Sequence, residues 1–243
     1  MDALLAFIGE HRFVLPAQAA ALLRTSEDAA GRRLHELTDA GYLIEEPVLA
    51  RQPVASRSTR LGLDAIGSEL RPLSISLTNY WHDVGAAWLW LAADNGAFGP
   101  TRDVVAERVM RSRDARGLDD PFGVRLGGLG RDGRERLHYP DLLTVAPSGR
   151  RLAIELEITT KAPVERERIL AGYAADPRVA KVLYVVYEPR VGLALSRSVS
   201  RLGISSLVAI QQVRGPGGRP SSTLRRARGI ARGEQRRAAE LAR

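Results

Sequence analysis

Acidic side chains alternate along one apolar segment of the chain, and a lysine follows them closely. In the run RLAIELEITTK, the side chains of Glu155, Glu157 and Lys161 are separated by even numbers of residues. An extended strand turns successive side chains to opposite faces, so these three groups are predicted to share one face. If the preceding strand pairs with this one, Asp141 lies opposite the same face. The pattern therefore predicts a packed strand that gathers three carboxylates and an amine.

Any metal chemistry in this protein must rely on such carboxylates. The 243 residues include no Cys and only four scattered His, which excludes thiolate sites and disulfides and leaves no zinc constellation. Lysine is also rare, at two of the 36 basic residues, so a lysine close behind the acidic pair is notable. The segment GGLGRDG lacks the lysine of a nucleotide-binding loop, and ATP-driven activity is not expected.

The excess positive charge lies at the C-terminus. The formal net charge is +8, and residues 214–243 carry nine basic and two acidic side chains. Because this tail opens with Gly, Pro and Ser and continues with Arg, it is predicted to be a disordered phosphate-binding arm; a merely solvating tail is the alternative. No apolar run has the length of a membrane span and no signal peptide is recognisable, so we expect a cytoplasmic protein that contacts no membrane.

The N-terminal segment predicts three helices. Apolar positions over residues 4–8 mark the face of the first helix, and Pro16 opens the second at a position that suits proline. The third helix is predicted from Ser26, a typical N-cap, to about Ala40, where Gly41 ends it.

Two extended segments, residues 43–49 and 59–63, flank the basic loop ARQPVASRS and are predicted to form a hairpin. Three helices followed by a basic hairpin, with RRLHELTDAGYLI closing the third helix, resemble a winged helix-turn-helix domain, which we assign to residues 1–75. The resemblance implies that the protein binds DNA, with the third helix in the major groove and the hairpin on phosphates. The residues implied to contact DNA are Arg32, Arg33, Arg51, Arg57 and Arg60. A winged helix that pairs with protein is the alternative, and the net charge of −2 over residues 1–80 favours it.

Residues 76–213 predict helices and strands around a central mixed sheet, so the expected fold class is α/β (α+β). The segment YWHDVGAAWLWLAAD predicts an amphipathic helix with its tryptophans in the core. A second helix is predicted over residues 100–116, with Glu107 in the middle of one face, and a hairpin follows whose second strand carries Asp141. After the acidic strand come a helix from Pro163, a buried strand, another helix and a last strand.

This order of elements resembles the PD-(D/E)xK nuclease superfamily over residues 79–213. Pro140-Asp141 matches the PD element, Glu155 matches the acidic position that follows it, and Glu107 matches the acidic residue on the first core helix of many members. The resemblance implies a deoxyribonuclease that depends on Mg²⁺ or Mn²⁺.

The chain departs from that pattern at one position. Glu157 stands where the superfamily has its lysine, and Lys161 is the nearest lysine. The resemblance implies that Asp141, Glu155 and Glu157 hold the metal and that Lys161 stabilises the attacking or leaving oxygen. Glu107 would then act from outside these ligands or on a second metal.

A winged helix, then YWHDVGAAW, then PDLLTV and IELEITTK resemble the actinobacterial replication-relaxation family, in which His82 matches a histidine of the helix after the winged domain. This resemblance implies a role in plasmid replication or conjugative mobilisation. The alternatives are a non-catalytic DNA-binding regulator with a degenerate nuclease-like domain, and a scaffold that recruits replication or transfer proteins. Pairing into a homodimer would allow cleavage of both strands, but no residue marks a dimer face.

Overall fold

The computed structural model describes residues 2–117, 120–130 and 132–213. The predicted basic arm, residues 214–243, lies outside the described residues. The described ranges contain helices packed on a central mixed sheet, so the predicted mixed α/β class is confirmed. None of the helices in these ranges is long and apolar enough to cross a membrane.

Residues 2–75, the first half of the fold, form four short helices and a two-stranded antiparallel sheet, and the residues from 76 to 213 are the second half. Asp2 and Ser26 cap the helices that follow them, Pro16 lies in the first turn of its helix, and Gly41 has the positive φ of a helix stop. The three predicted helices are therefore present. The elements are α1 (Ala3–Glu10), α2 (Pro16–Leu23), α3 (Glu27–Asp39), β1 (Leu43–Glu46), β2 (Ala55–Ser58) and α4 (Arg60–Ala65).

A helix replaces the strand predicted over residues 59–63. The second strand lies earlier, at β2, and Thr59 accepts a hydrogen bond from the Gly62 N–H at 3.0 Å. This bond caps α4, and Leu63 is buried on its inner face. The prediction was wrong because Thr59 caps a helix here, which buries Leu63 and leaves Leu61 exposed.

The second half contributes the remaining helices and strands. The elements are α5 (Tyr80–Asp94), β3 (Asp103–Ala106), α6 (Glu107–Asp114), β4 (Val124–Leu129), β5 (Glu135–His138), β6 (Leu142–Val145), β7 (Arg151–Glu157), α7 (Pro163–Ala175), β8 (Val179–Val186), α8 (Pro189–Arg201) and β9 (Val208–Gln212).

Five of these strands form the central sheet, in the order β3-β6-β7-β8-β9. The pairs β3–β6 and β6–β7 are antiparallel, whereas β7–β8 and β8–β9 are parallel. Helix α5 packs on one face, against Ile154 and Leu156 of β7, and helices α7 and α8 pack on the other. Because β7 is central, both of its faces are buried.

The segment predicted as one helix over residues 100–116 divides into a strand and a helix. The β-branched Val104 and Val105 pair with β6, and α6 begins only at Glu107. Glu107 therefore lies in a first turn and not in the middle of a helix face, which corrects the prediction. The hairpin β4–β5 is present, but Asp141 lies in the link between β5 and β6 and not within a strand.

The two halves contact each other through α5 and α6. Gln18 Nε2 donates to the Val84 carbonyl at 2.9 Å, and Arg108 Nη1 donates to the carbonyls of Gly9 at 2.8 Å and His11 at 3.2 Å. Helix α5 also contributes buried side chains to the core of the first half. The helix that leads into the second half is thus held by the first.

Candidate active site

Asp141 is held by a strand and a helix that are distant in sequence. Its Oδ2 accepts a hydrogen bond from the backbone N–H of Leu156 at 2.7 Å, and its Oδ1 lies 3.2 Å from Nε2 of His82 on α5. The backbone carbonyl of Asp141 accepts from the N–H of Glu107 at 3.1 Å. The carboxylate is therefore fixed at the start of β6, beside the end of β7.

Glu155 and Glu157 lie on the same face of β7, as their spacing predicts. Their exposed fractions are 3% and 5%, so each carboxylate needs a partner inside the protein. Oε1 of Glu155 lies 2.6 Å from Nε2 of His138 and accepts a hydrogen bond from the Tyr173 hydroxyl, while Oε2 of Glu157 accepts from Lys161. These acids are hydrogen-bonded inside the protein and are not a row of solvent-exposed side chains. Asp141, Glu155, Glu157 and Lys161 are called the carboxylate cluster below.

Lys161 reaches the cluster from a loop. β7 ends at Glu157, so the extended strand assumed in the sequence prediction does not continue to the lysine. The loop is held by the buried Arg166, whose Nη1 donates to the Lys161 carbonyl at 3.1 Å and whose Nε donates to Ser198 Oγ at 3.0 Å. The lysine thus lies beside the carboxylates for a different reason from the one that the strand period suggests.

The Glu107 backbone bonds to Asp141, but the described contacts of its carboxylate are with Arg111 and not with the cluster. Arg111 Nε donates to its Oε1 at 2.7 Å, one helical turn further along α6. Together with His82, Asp83 and Asp141, Glu107 lines a cavity of about 70 Å³ between the two halves of the chain. Glu107 therefore lies outside the three predicted metal ligands Asp141, Glu155 and Glu157.

Ion pairing raises the pKa of both histidines of the cluster. Burial disfavours the protonated ring of His82, but its bonds to Asp141 and Asp83 outweigh burial and raise its pKa to about 10. Burial is likewise outweighed at His138, whose pKa rises because Glu155 faces it. The pKa of Asp141 falls, because His82 opposes the rise that burial alone would cause.

The pKa values of Glu157 and Lys161 are both raised. Burial raises the pKa of Glu157, and the nearby charges of Glu155 and Asp141 add to the rise that Lys161 opposes. Burial would lower the pKa of Lys161, but the carboxylates around it produce a net rise. The three carboxylates are thus faced by three basic groups, His82, His138 and Lys161.

The cluster has the ligand chemistry of a divalent metal site. Mg²⁺ and Mn²⁺ prefer carboxylate oxygens, and the described bonds use only one oxygen of Glu155 and one of Glu157. In residues 2–117, 120–130 and 132–213, however, no three His, Asp or Glu side chains converge in a metal-ligand arrangement. A metal at this site would have to replace at least one of the present cationic partners.

Three residues that contact these carboxylates did not enter the predicted site. The sequence assigns no role in the site to His82 or His138, yet His82 contacts Asp141 and His138 contacts Glu155. Tyr173 was not predicted at all. It lies on α7, and no local spacing relates it to Glu155; an otherwise apolar helix face ending in a hydroxyl is its only sequence signal.

The predicted DNA-contacting arginines divide into two groups. Arg33 pairs with Asp2 and Glu36, Arg57 with Glu46, and Arg60 with Asp64. In contrast, Arg32 and Arg51 form no ion pair within the described part of the chain, and both are exposed. Only the second group presents charge that no neighbouring carboxylate already compensates.

Comparison with known proteins adds nothing to this description: no family model, no curated protein and no solved structure matches the chain.

Proposed function

We propose that the protein binds DNA and hydrolyses phosphodiester bonds with a divalent metal, in the manner of a plasmid replication or mobilisation protein of the replication-relaxation type. The observation that carries this proposal is that Asp141 accepts the backbone N–H of Leu156, the residue between Glu155 and Glu157, while Lys161 bonds to Glu157. Buried acids beside a lysine are costly to the fold, and such groups concentrate at functional sites.

The order of elements supports the nuclease interpretation. The chain passes through α5, β3, β6, β7, α7 and β8 in this order, with α6 and the hairpin β4–β5 inserted between β3 and β6, and its sheet has two antiparallel strand pairs and then a parallel one. The resemblance to the PD-(D/E)xK superfamily implies the same order, with the acids on the second and third strands. Three helices followed by a short hairpin in the first half support the winged-helix interpretation.

In this proposal the residues of the cluster divide the work. Asp141, Glu155 and Glu157 would hold Mg²⁺ or Mn²⁺ once a basic partner is displaced, and the metal would supply charge neutralisation for the phosphate and lower the pKa of a water nucleophile. Lys161 donates toward the attacking or leaving oxygen.

The neighbours of these groups orient them. His82 and the Leu156 N–H orient Asp141, while His138 and Tyr173 orient Glu155. Glu107 acts from outside the ligands.

Nicking of supercoiled plasmid tests the proposal. The native chain is compared with Asp141→Asn and Glu155→Gln, with and without Mg²⁺ or Mn²⁺, and Glu165→Gln on the exposed start of α7 is the matched control. We expect nicking that requires the metal, falls by about a hundredfold or more in both site variants and is unchanged in the control. Nicking that survives both substitutions would place the activity elsewhere.

A second candidate function is a non-catalytic DNA-binding regulator with a degenerate nuclease-like domain. The observation that favours it is that every carboxylate of the cluster already has a cationic partner. In this case the native chain binds DNA in a salt-sensitive way and cleaves it with neither metal.

A further inference from the structure

Arg108 links the first turn of α6 to the first half of the fold. Its guanidinium is half-buried and donates to the Gly9 carbonyl at 2.8 Å and to the His11 carbonyl at 3.2 Å. It also donates to the carbonyl of Arg71. Hydrogen bonds from a charged donor are stronger than neutral ones, so these three bonds hold the start of α6 against the end of α1.

The start of α6 in turn holds the backbone of Asp141. The first N–H groups of a helix have no partner within the helix, and that of Glu107, the residue before Arg108, donates to the Asp141 carbonyl at 3.1 Å. The pairing of β6 with β7 begins only at Leu142, so the Leu156 N–H is held by the carboxylate of Asp141 and not by a strand carbonyl. The position of that carboxylate therefore depends on how the Asp141 backbone is held.

The first turn of α5 also rests on the first half of the fold. Tyr80 is buried and stacks on Phe13, with 5.0 Å between the ring centroids. Trp81 and Trp88 of the same helix are 37% and 42% exposed, although the sequence predicts the tryptophans in the core. The turn is thus seated on the first half by its tyrosine and by polar contacts.

Arg12 provides a second connection from the first half to Asp141. Its Nε lies 3.5 Å from Oδ1 of Asp83, and the neighbouring His82 reaches Oδ1 of Asp141 with its Nε2 at 3.2 Å. The backbone of Asp141 is thus connected to the end of α1 through α6, and its carboxylate is connected to the same segment through α5. Convergence of both connections on one residue favours a positioning role over simple docking of the two halves.

We propose that Arg108 is a positioning residue for Asp141, which it fixes beside β7 through the start of α6, and that Arg12 contributes through Asp83 and His82. This inference rests on the proposed function, in which Asp141 holds the metal. It makes the first half of the fold a working part of the cleavage site. A group displaced by about 1 Å from its productive geometry can lower a rate by up to about a hundredfold.

Hydrogen exchange of backbone amides, measured by NMR on the full chain in EDTA, tests the inference without a metal. The native chain is compared with Arg108→Ala and Arg108→Lys. Arg116→Ala is the matched control, because Arg116 follows the end of the same helix and bonds to Glu69 of the first half. We expect the Leu156 amide to exchange about tenfold faster in Arg108→Ala and less so in Arg108→Lys, with no change at Val182 of the central sheet and none in the control.

Nicking of supercoiled plasmid with Mn²⁺ provides the second readout. We expect a rate about tenfold or more lower in Arg108→Ala, with unchanged affinity for duplex DNA in EDTA. Arg108→Lys retains a cation and is expected to restore part of the rate. Arg12→Gln removes the longer and more exposed connection, and a loss of only about twofold to threefold is expected.

Four results would overturn the inference. They are an unchanged Leu156 amide in Arg108→Ala, equal acceleration at Leu156 and Val182, an equal effect of Arg116→Ala, and unchanged nicking by Arg108→Ala when the native chain is active. Failure of the nuclease proposal is seen separately, because the exchange measurement contains no metal. If the native chain nicks nothing but the Leu156 amide responds as expected, catalysis is lost as a function and the positioning of Asp141 by Arg108 stands.

Discussion

The carboxylate cluster of the second half and the arginine surface of the first half use charge in opposite ways. In the cluster Glu155 and Glu157 are buried and Asp141 is half-buried, and their partners come from α5, β5, α7 and a loop. On the surface of α3, the β1–β2 hairpin and α4, Arg33, Arg57 and Arg60 pair with acids of the same helix or the paired strand, and Arg33 also pairs with Asp2. Buried charge requires a constructed environment, whereas exposed charge is tolerated anywhere, so only the cluster identifies a site.

The largest expected effect comes from removing one acid of the cluster. Glu155→Ala leaves His138 and the Tyr173 hydroxyl without their shared partner, and we expect a loss of about 3 to 5 kcal/mol in the free energy of unfolding. Glu46→Ala, which breaks the more exposed pair with Arg57, is expected to cost less than about 1 kcal/mol. Urea unfolding of both variants measures the difference. Equal losses would remove the contrast between the two regions.

A buried histidine of the first half sharpens the comparison through pH. Burial lowers the pKa of His11 from 6.5 to about 4, because the ring lies among Phe7 and Trp90 and stays neutral. Below pH 6.5 the unfolded chain takes up a proton that the folded chain refuses, so stability falls as the pH decreases toward 4. The expected contribution over this window is about 3 kcal/mol.

The measurement is urea unfolding between pH 7.5 and pH 4.5 for the native chain and His11→Phe, which keeps a ring and cannot titrate. The free energy of unfolding of the variant is expected to fall by about 3 kcal/mol less than that of the native chain as the pH decreases. The same pH dependence in both chains would mean that His11 is protonated in the fold.

A smaller effect is expected from the hydrogen bonds through which Ser198 and Arg166 position the loop of Lys161. Ser198 is fully buried and joins Arg166 to Glu167, and Arg166 in turn holds the carbonyl of Lys161. Ser198→Ala is expected to lower the free energy of unfolding by about 1 kcal/mol and to slow metal-dependent nicking by about tenfold through a looser lysine. Ser196→Ala, exposed on the same helix, should change neither quantity. A slower reaction with unchanged oligonucleotide affinity distinguishes positioning of Lys161 from loss of binding.

The smallest effects are expected on the arginine surface. Arg32→Ala and Arg51→Ala should each reduce the slope of log affinity for duplex DNA against log salt by about one, as expected for one lost phosphate contact. Arg33→Ala and Arg57→Ala should change the slope less, because their charges are already compensated within the protein. Titrations at several salt concentrations measure these slopes. Four equal slopes would mean that the local ion pairs open on DNA.

Much of the fold follows from local patterns. The caps at Asp2 and Ser26, the prolines that open α2, α7 and α8, and the apolar run of β8 each act within a few residues, and the corresponding elements are present. Local patterns failed where pairing decides the outcome. Val104 and Val105 form a strand because β6 offers its edge, and nothing within residues 100–116 encodes that partner.

The sequence by itself determined which acids share a face. The two-residue period of β7 places Glu155 and Glu157 together, and the absence of Cys limits any metal site to oxygen and imidazole ligands. Only the tertiary structure decided what faces them. His82, His138 and Tyr173 arrive from three different elements, and Lys161 is positioned by Arg166 and not by the strand. The physical reason is that a buried charge is satisfied through space, by whichever polar group the packing brings within hydrogen-bonding distance, and sequence spacing contains no measure of that distance.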